Sequence, residues 1–283
     1  MMSNRLDTTF ARLKAAREGA LVTFITAGDP TIAGTHTLAA TLAKAGADII
    51  ELGIPYSDPL ADGPSIQASS QRALDAGVTP HTVLQMVRGI RRLTEVPLVL
   101  MTSYNLVLKY GLEHFAKEFS EAGADGAILT DLPPEEAEPW KHAAEKHGLA
   151  TIFLVAPTST PERIALIAKN TTGFVYCVSR TGVTGARTEL PPELQELLAR
   201  VRAATDKPLC VGFGVSRPDH VAQVIQIADG AVIGSALVDF LHETAGHPGQ
   251  MADLDTLVRS WKAATRRRAK VGGNAEDDAI AVD

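Results

Sequence analysis

The chain has 283 residues, 45% of them hydrophobic and 21% charged, values that match a folded soluble domain and exclude a disordered or fibrous chain. The formal net charge is −6, but Glu276, Asp277, Asp278 and Asp283 lie in the last ten residues and leave the rest at −2. No basic footprint for nucleic acid is visible, and an anionic ligand would have to be held by local dipoles. Only 5% of residues are aromatic, which argues against a base- or sugar-stacking surface.

The N-terminal stretch has neither the apolar core of a signal peptide nor a membrane span, so the expected location is the cytoplasm. Cys177 and Cys210 each sit in a short apolar run, which reads as two buried thiols and not as a disulfide framework or zinc site. Leu6, Phe10 and Leu13 predict a helix ahead of the first strand. Strands follow at Leu21–Thr26, Asp48–Leu52, Pro97–Thr102, Gly126–Thr130, Thr151–Val155, Gly173–Val178, Pro208–Gly212 and Gly230–Ile233, with starts mostly separated by about the 30 residues that a βα unit needs.

Between them, Val83, Met86, Val87, Ile90 and Leu93 form a helical stripe over Thr79–Thr94. Thr160 before Pro161, and Ser216 before Arg217 and Pro218, mark helix starts. Ala45-Gly46-Ala47-Asp48 and Ala122-Gly123-Ala124-Asp125 are near-copies that close a helix and open a strand, with Ala228-Asp229-Gly230 as a third echo. Strands apolar on both faces that alternate with helices predict a closed (β/α)8 barrel of the TIM type with an extra N-terminal helix. A doubly wound open sheet is the competitor, weakened because no strand leads into a G-x-G-x-x-G turn. The barrel is expected to be a single domain over residues 1–270. The Gly- and acid-rich composition after Arg266-Arg267-Arg268 predicts a disordered tail over 271–283.

In such a barrel the chemistry gathers at the carboxyl ends of the strands. Glu51 shares a strand face with Ile49, so its carboxylate would be buried, with a raised pKa suited to general acid catalysis. A structural ion pair is the alternative. The loop Pro55–Pro64 can carry a second carboxylate back over the first. Gly212-Phe213-Gly214 and Gly234-Ser235 end the last two strands, where backbone N–H groups and a helix start can hold a phosphate, or where the glycines merely serve tight turns. Ser179–Arg187 reads as a mobile lid or a plain surface loop. None of the eight histidines falls at a strand end, so neither metal binding nor histidine catalysis is expected.

These blocks together resemble the tryptophan synthase α subunit family. The resemblance is carried by Phe24–Pro30, the long block Glu51–Gln67, Ser179–Gly185, Gly212–Gly214 and Gly234-Ser235, in the family's order. Tyr56 stands where many members have Phe. The resemblance implies a carbon–carbon lyase of tryptophan biosynthesis that cleaves indole-3-glycerol phosphate to indole and glyceraldehyde 3-phosphate by a retro-aldol route. It implies Glu51 as acid and base, and Asp62 as acceptor of the indole N–H. Phe24, Ile128, Thr130, Leu154 and Phe213 would wall the indole ring. Tyr176 would line the glycerol region, Thr184 would close on Asp62, and Gly185, Gly214, Gly234 and Ser235 would bind phosphate.

The family needs no cofactor or metal in this chain. It implies an α2β2 complex with a pyridoxal-phosphate β subunit that receives the indole, contacted through Pro55, Asp58, Asn105 and Pro133. Asp131-Leu132-Pro133-Pro134 also fits a helix start. Other readings are a stand-alone lyase, a sugar-phosphate isomerase or epimerase barrel, which would share the glycine pairs but need not share Glu51 with Asp62, and a non-catalytic activator, which predicts loss of one carboxylate or of the phosphate glycines.

Overall fold

The computed structural model describes residues 4–59, 62–178, 192–212 and 214–267. In chain order its elements are α1 (Arg5–Ala16), β1 (Ala20–Thr26), α2 (Gly34–Ala45), β2 (Ile49–Gly53), α3 (Pro64–Asp75), α4 (Pro80–Arg91), β3 (Leu98–Thr102), α5 (Tyr104–Tyr110), α6 (Leu112–Ala122) and β4 (Gly126–Leu129). After a 3-10 turn at Pro134–Glu136 come α7 (Glu138–Lys146), β5 (Ala150–Ile152), β6 (Leu154–Val155), α8 (Pro161–Asn170) and β7 (Val175–Val178). The chain continues through α9 (Pro192–Ala204), β8 (Leu209–Gly212), α10 (Pro218–Ile227), β9 (Gly230–Ile233), α11 (Ser235–Glu243) and α12 (Gln250–Ala263).

Every strand pairing is parallel, in the order β5-β4-β3-β2-β1-β9-β8-β7-β6. The two ends of that order are consecutive in the chain. Phe153 separates them, and its carbonyl accepts from the Tyr176 N–H at 3.0 Å. The fifth barrel strand is therefore one strand broken at Phe153, and the sheet closes on itself as an eight-unit barrel.

Alternation sorts the side chains into two cores. Val22, Ile49, Val99, Ile128, Ile152, Tyr176, Cys210 and Val232 point inward, and Leu6 and Leu13 of α1 pack against this set. Phe10 approaches Phe174 with ring centroids 6.0 Å apart. The predicted N-terminal helix is thus the floor of the barrel. A second core joins the outward strand residues to the surrounding helices.

The Asp repeats acquire a physical meaning here. Asp48 Oδ2 accepts from Leu21 N at 3.0 Å, Asp125 Oδ2 from Leu98 N at 2.8 Å, and Asp229 Oδ2 from Leu209 N at 3.0 Å. Each carboxylate thus pins the start of an earlier strand, satisfying a donor that would otherwise lie unpaired. Each is neutralised by two cations: Arg12 and Lys262, Arg5 and Arg91, and Arg202 and Arg267. Gly46 and Gly123 end their helices in the left-handed conformation, at φ 112° and 106°. The third echo differs, because Ala228 closes α10 in extended conformation.

Two local expectations need correction. α4 ends at Arg91, so Leu93 lies beyond the stripe and is 58% exposed, while Val83, Met86, Val87 and Ile90 are buried. At α10 the cap is Arg217 and not Ser216, one residue closer to Pro218. Thr160 caps α8 as expected, accepting from Arg163 N. Both cysteines are buried and free.

Candidate active site

Glu51 lies in register between Phe24 of β1 and Val99 of β3, facing the barrel interior. It is fully buried, and neither carboxylate oxygen has a hydrogen-bond partner among the described residues. A structural ion pair would have supplied one, and none is there among the described residues. Burial pushes the carboxyl up to about 8, because removing water penalises only the charged form. At neutral pH Glu51 is thus mostly protonated.

Above it opens a cavity of about 100 Å³, lined by Phe24, Glu51, Asp62, Tyr176, Gly234 and Ser235, with Gly63, Ile66, Met101, Gly214, Val215 and Val232 completing the wall. The Pro55–Pro64 loop brings Asp62 to the same cavity as Glu51. Burial raises the Asp62 carboxyl to about 6, against the opposing hydrogen bond of the Tyr56 hydroxyl. Asp62 is therefore mostly ionised where Glu51 is mostly protonated. Two carboxyl groups in one cavity are held in opposite states by their surroundings. Tyr176 sits in register between Leu154 and Cys210. Burial, and then the adjacent Glu51, lift its phenol well above the usual tyrosine range.

Gly234 precedes α11, whose N-terminus has no side-chain cap. Gly234 and Ser235 line the cavity, so the positive end of the α11 dipole lies at its wall. Gly214 joins the same wall. The arrangement offers a buried acid, a nearby carboxylate and an anion cradle.

Not every expected wall residue meets this cavity. Ile128 packs deeper in the barrel interior. Thr130 and Leu154 line a neighbouring hollow of about 170 Å³ with Asp131, Pro133 and Arg163, and the Thr130 hydroxyl lies 3.3 Å from that of Tyr56. Thr184, Gly185 and Phe213 fall outside the described residues, as does the expected lid at 179–187. Met101 and Val232 were not singled out from the sequence, although the alternation that finds Glu51 also turns Met101 inward two residues after Val99. Ile66 and Val215 follow strand ends by several residues and carry no such signal.

Asp58 and Asn105 are exposed on the loop after β2 and on α5, Pro133 is half-buried after β4, and Pro55 is buried. All four follow the carboxyl ends of neighbouring strands. A larger hollow of about 870 Å³ at the opposite end is lined by Lys14, Arg17, Arg202, Asp206, Asp229 and Arg267 among others. Its Asp229 is already paired with Arg202 and Arg267. None of its acids is a buried carboxylate left without a partner. Among the described residues no group of three or more His, Cys, Asp or Glu side chains could share a metal ion. No helix among them is long and apolar enough to cross a membrane.

The family model described as tryptophan synthase alpha chain matches residues 10–266. The tryptophan synthase alpha chain of Geobacter sulfurreducens is 54% identical over 262 residues, covering 92% of this chain and 98% of the relative. That of Solibacter usitatus is 48% identical over 265 residues, covering 94% and 99%. Among solved structures, tryptophan synthase subunit alpha from Legionella pneumophila superposes with a TM-score of 0.86 at 40% identity, covering 93% of this chain and 98% of that one. Mycobacterium tuberculosis tryptophan synthase gives 0.86 at 40% identity, covering 93% and 99%.

Proposed function

Because the chain belongs to the tryptophan synthase alpha chain family, whose reaction is the cleavage of indole-3-glycerol phosphate to indole and glyceraldehyde 3-phosphate, we propose the following division of labour in its cavity. Glu51 delivers its proton to indole C3. Asp62, ionised, accepts the indole N–H and stabilises the positive charge that develops on the ring. The Glu51 carboxylate left behind takes the proton from the side-chain hydroxyl next to C3. As that O–H bond breaks, the carbonyl of the aldehyde forms and the carbon–carbon bond to C3 opens. Its electron pair returns to the indole ring. Glu51 ends the cycle protonated, as it began, and no proton is consumed.

The single observation that carries this reading is the orphaned, fully buried carboxyl of Glu51. A carboxyl stripped of water and of every partner costs stability, and a reaction that needs a neutral acid near pH 7 explains why it is kept. Phosphate is assigned to the N–H groups at the start of α11 with Gly214, Gly234 and Ser235, which resolves how a net-negative chain holds an anion. Phe24 walls the indole ring and Tyr176 the glycerol region. Ile128 packs beneath the cavity and Thr130 and Leu154 line the hollow beside it, while Thr184, Gly185 and Phe213 keep the roles the family gives them.

The partnership follows from the same membership: the chain works with a β-type subunit that consumes indole, docked over Asp58, Asn105 and Pro133 with Pro55 beneath, in an α2β2 complex. The β subunit would bring the pyridoxal phosphate. The test is an assay for indole release from indole-3-glycerol phosphate, with and without added β subunit. Release is expected in both and faster with the partner. Absence of indole under either condition would overturn the lyase reading.

A further inference from the structure

Asp62 sits on a loop outside the barrel strands, yet its proposed task demands placement to a fraction of an ångström. Misplacing a reacting group by about 1 Å costs roughly a hundredfold in rate. What holds it is α3, the helix that follows. Gln67 Nε2 donates to the Asp62 carbonyl at 2.8 Å and to the Pro59 carbonyl at 3.3 Å, so one side chain ties Asp62 to Pro59. The Asp62 N–H also donates to the Pro59 carbonyl at 3.0 Å.

α3 is itself pinned along one polar face. Ser65, Ser69 and Arg72 recur at spacings of four and three, which puts them on one side of a helix. Ser65 Oγ donates to Asp239 of α11 at 2.9 Å, and the hydroxyls of Ser69 and Thr26 meet at 2.6 Å at the carboxyl end of β1. Arg72 grips Asp29, just beyond β1, through two contacts of 2.7 and 2.8 Å. A two-point guanidinium–carboxylate fork fixes orientation as well as distance. The Asp29 side chain is 5% exposed and that of Arg72 is 32% exposed. Asp29 is buried, so the fork both neutralises it and fixes the direction in which α3 leaves the loop.

We propose that Gln67 and the Arg72–Asp29 pair are positioning residues for catalysis: α3 is a strut that carries the rigidity of β1 and of the phosphate-facing helix α11 to Asp62. This inference rests on the assignment of Asp62 above. The strut sets where the Asp62 carboxylate stands, and neither Gln67 nor Arg72 touches the substrate.

The test is a double-mutant cycle on the full chain with indole-3-glycerol phosphate. Arg72→Gln and Gln67→Ala should each lower kcat about tenfold, while KM and the affinity for inorganic phosphate stay within about twofold. In an Asp62→Asn background the same replacements should change kcat by less than twofold, since nothing is left to position. Arg72→Lys keeps the charge but offers a single donor group in place of the fork, and should retain the fold while losing at least threefold in kcat. Circular dichroism and thermal unfolding identify any variant that fails to fold. Unchanged kcat in the single variants, or equal losses in both backgrounds, would overturn the strut alone. If Asp62→Asn by itself leaves kcat at the parent value, the role of Asp62 falls, and the strut with it.

Discussion

The ring of Tyr176 fills the space that a side chain at Gly212 would need. A Cβ placed on Gly212 would meet Cζ of Tyr176 at 2.6 Å, with the hydroxyl and Cε1 nearer still. The two residues come from adjacent strands, and Tyr176 lines the cavity beside Glu51. Backbone bareness at Gly212 is thus what allows a large phenol to stand at the site.

Gly212→Ala is therefore expected to push Tyr176 toward the substrate and to lower kcat/KM by at least tenfold. Because the chain around it can yield locally, the fold should persist. Tyr176→Phe should not relieve the defect, since the ring carbons clash as well as the hydroxyl, whereas a shorter Tyr176→Val should recover part of it. Kinetics of Gly212→Ala alone and combined with each Tyr176 replacement settle this, and full activity in Gly212→Ala would refute the steric coupling.

Glu51→Gln should abolish indole release while leaving the fold and phosphate affinity intact. It should also stabilise the chain in a pH-dependent way. Below the ordinary glutamate value both folded and unfolded states hold the proton. Between there and about 8 the unfolded chain releases it while the folded chain retains it, so parental stability falls as pH rises through that window. Glutamine has no proton to lose. Its advantage in urea unfolding should grow from pH 5 to pH 8 by a few kcal/mol. A constant difference across that range would mean that Glu51 is not held protonated.

The pH profile of kcat/KM should be a bell. Activity falls below about 6 as Asp62 takes up its proton, and above about 8 as Glu51 loses its own. Tyr56→Phe removes the hydroxyl whose hydrogen bond lowers the Asp62 carboxyl, so the acidic limb should move to higher pH while the alkaline limb stays. Movement of the alkaline limb alone would contradict both assignments.

Asp125→Ala strips a partner from the Leu98 N–H and from two guanidinium groups at a site where the carboxylate is 4% exposed. A loss of about 3–5 kcal/mol in folding stability is expected, typical of breaking a buried pair. Asp229→Ala, at a carboxylate 32% exposed, should cost about 1–2 kcal/mol. Activity measured well below either unfolding midpoint should be near the parent level, because both residues lie at the barrel end opposite Glu51.

The inward placement of Glu51 was readable in advance because period-2 alternation is a local property. Ile49-Ile50-Glu51 leaves Glu51 nowhere to face but inward. The Asp repeats were visible as copies, but not their purpose, since each carboxylate serves a strand that starts about 20–27 residues earlier. The polar face of α3 was equally silent. Arg72 finds Asp29 across 43 positions, and in the sequence alone Ser65, Ser69 and Arg72 look like any solvated helix side. Leu93 shows the converse error, an apolar residue in phase with a stripe whose helix has already ended.

The floor made by Leu6, Phe10, Leu13 and Phe174 has a consequence for traffic through the enzyme. Packed hydrocarbon stoppers that end, so a ligand in the Glu51 cavity must come and go on the side where the strands finish. Asp58, Asn105 and Pro133 lie on that same side, so a partner docked over them would stand where indole leaves.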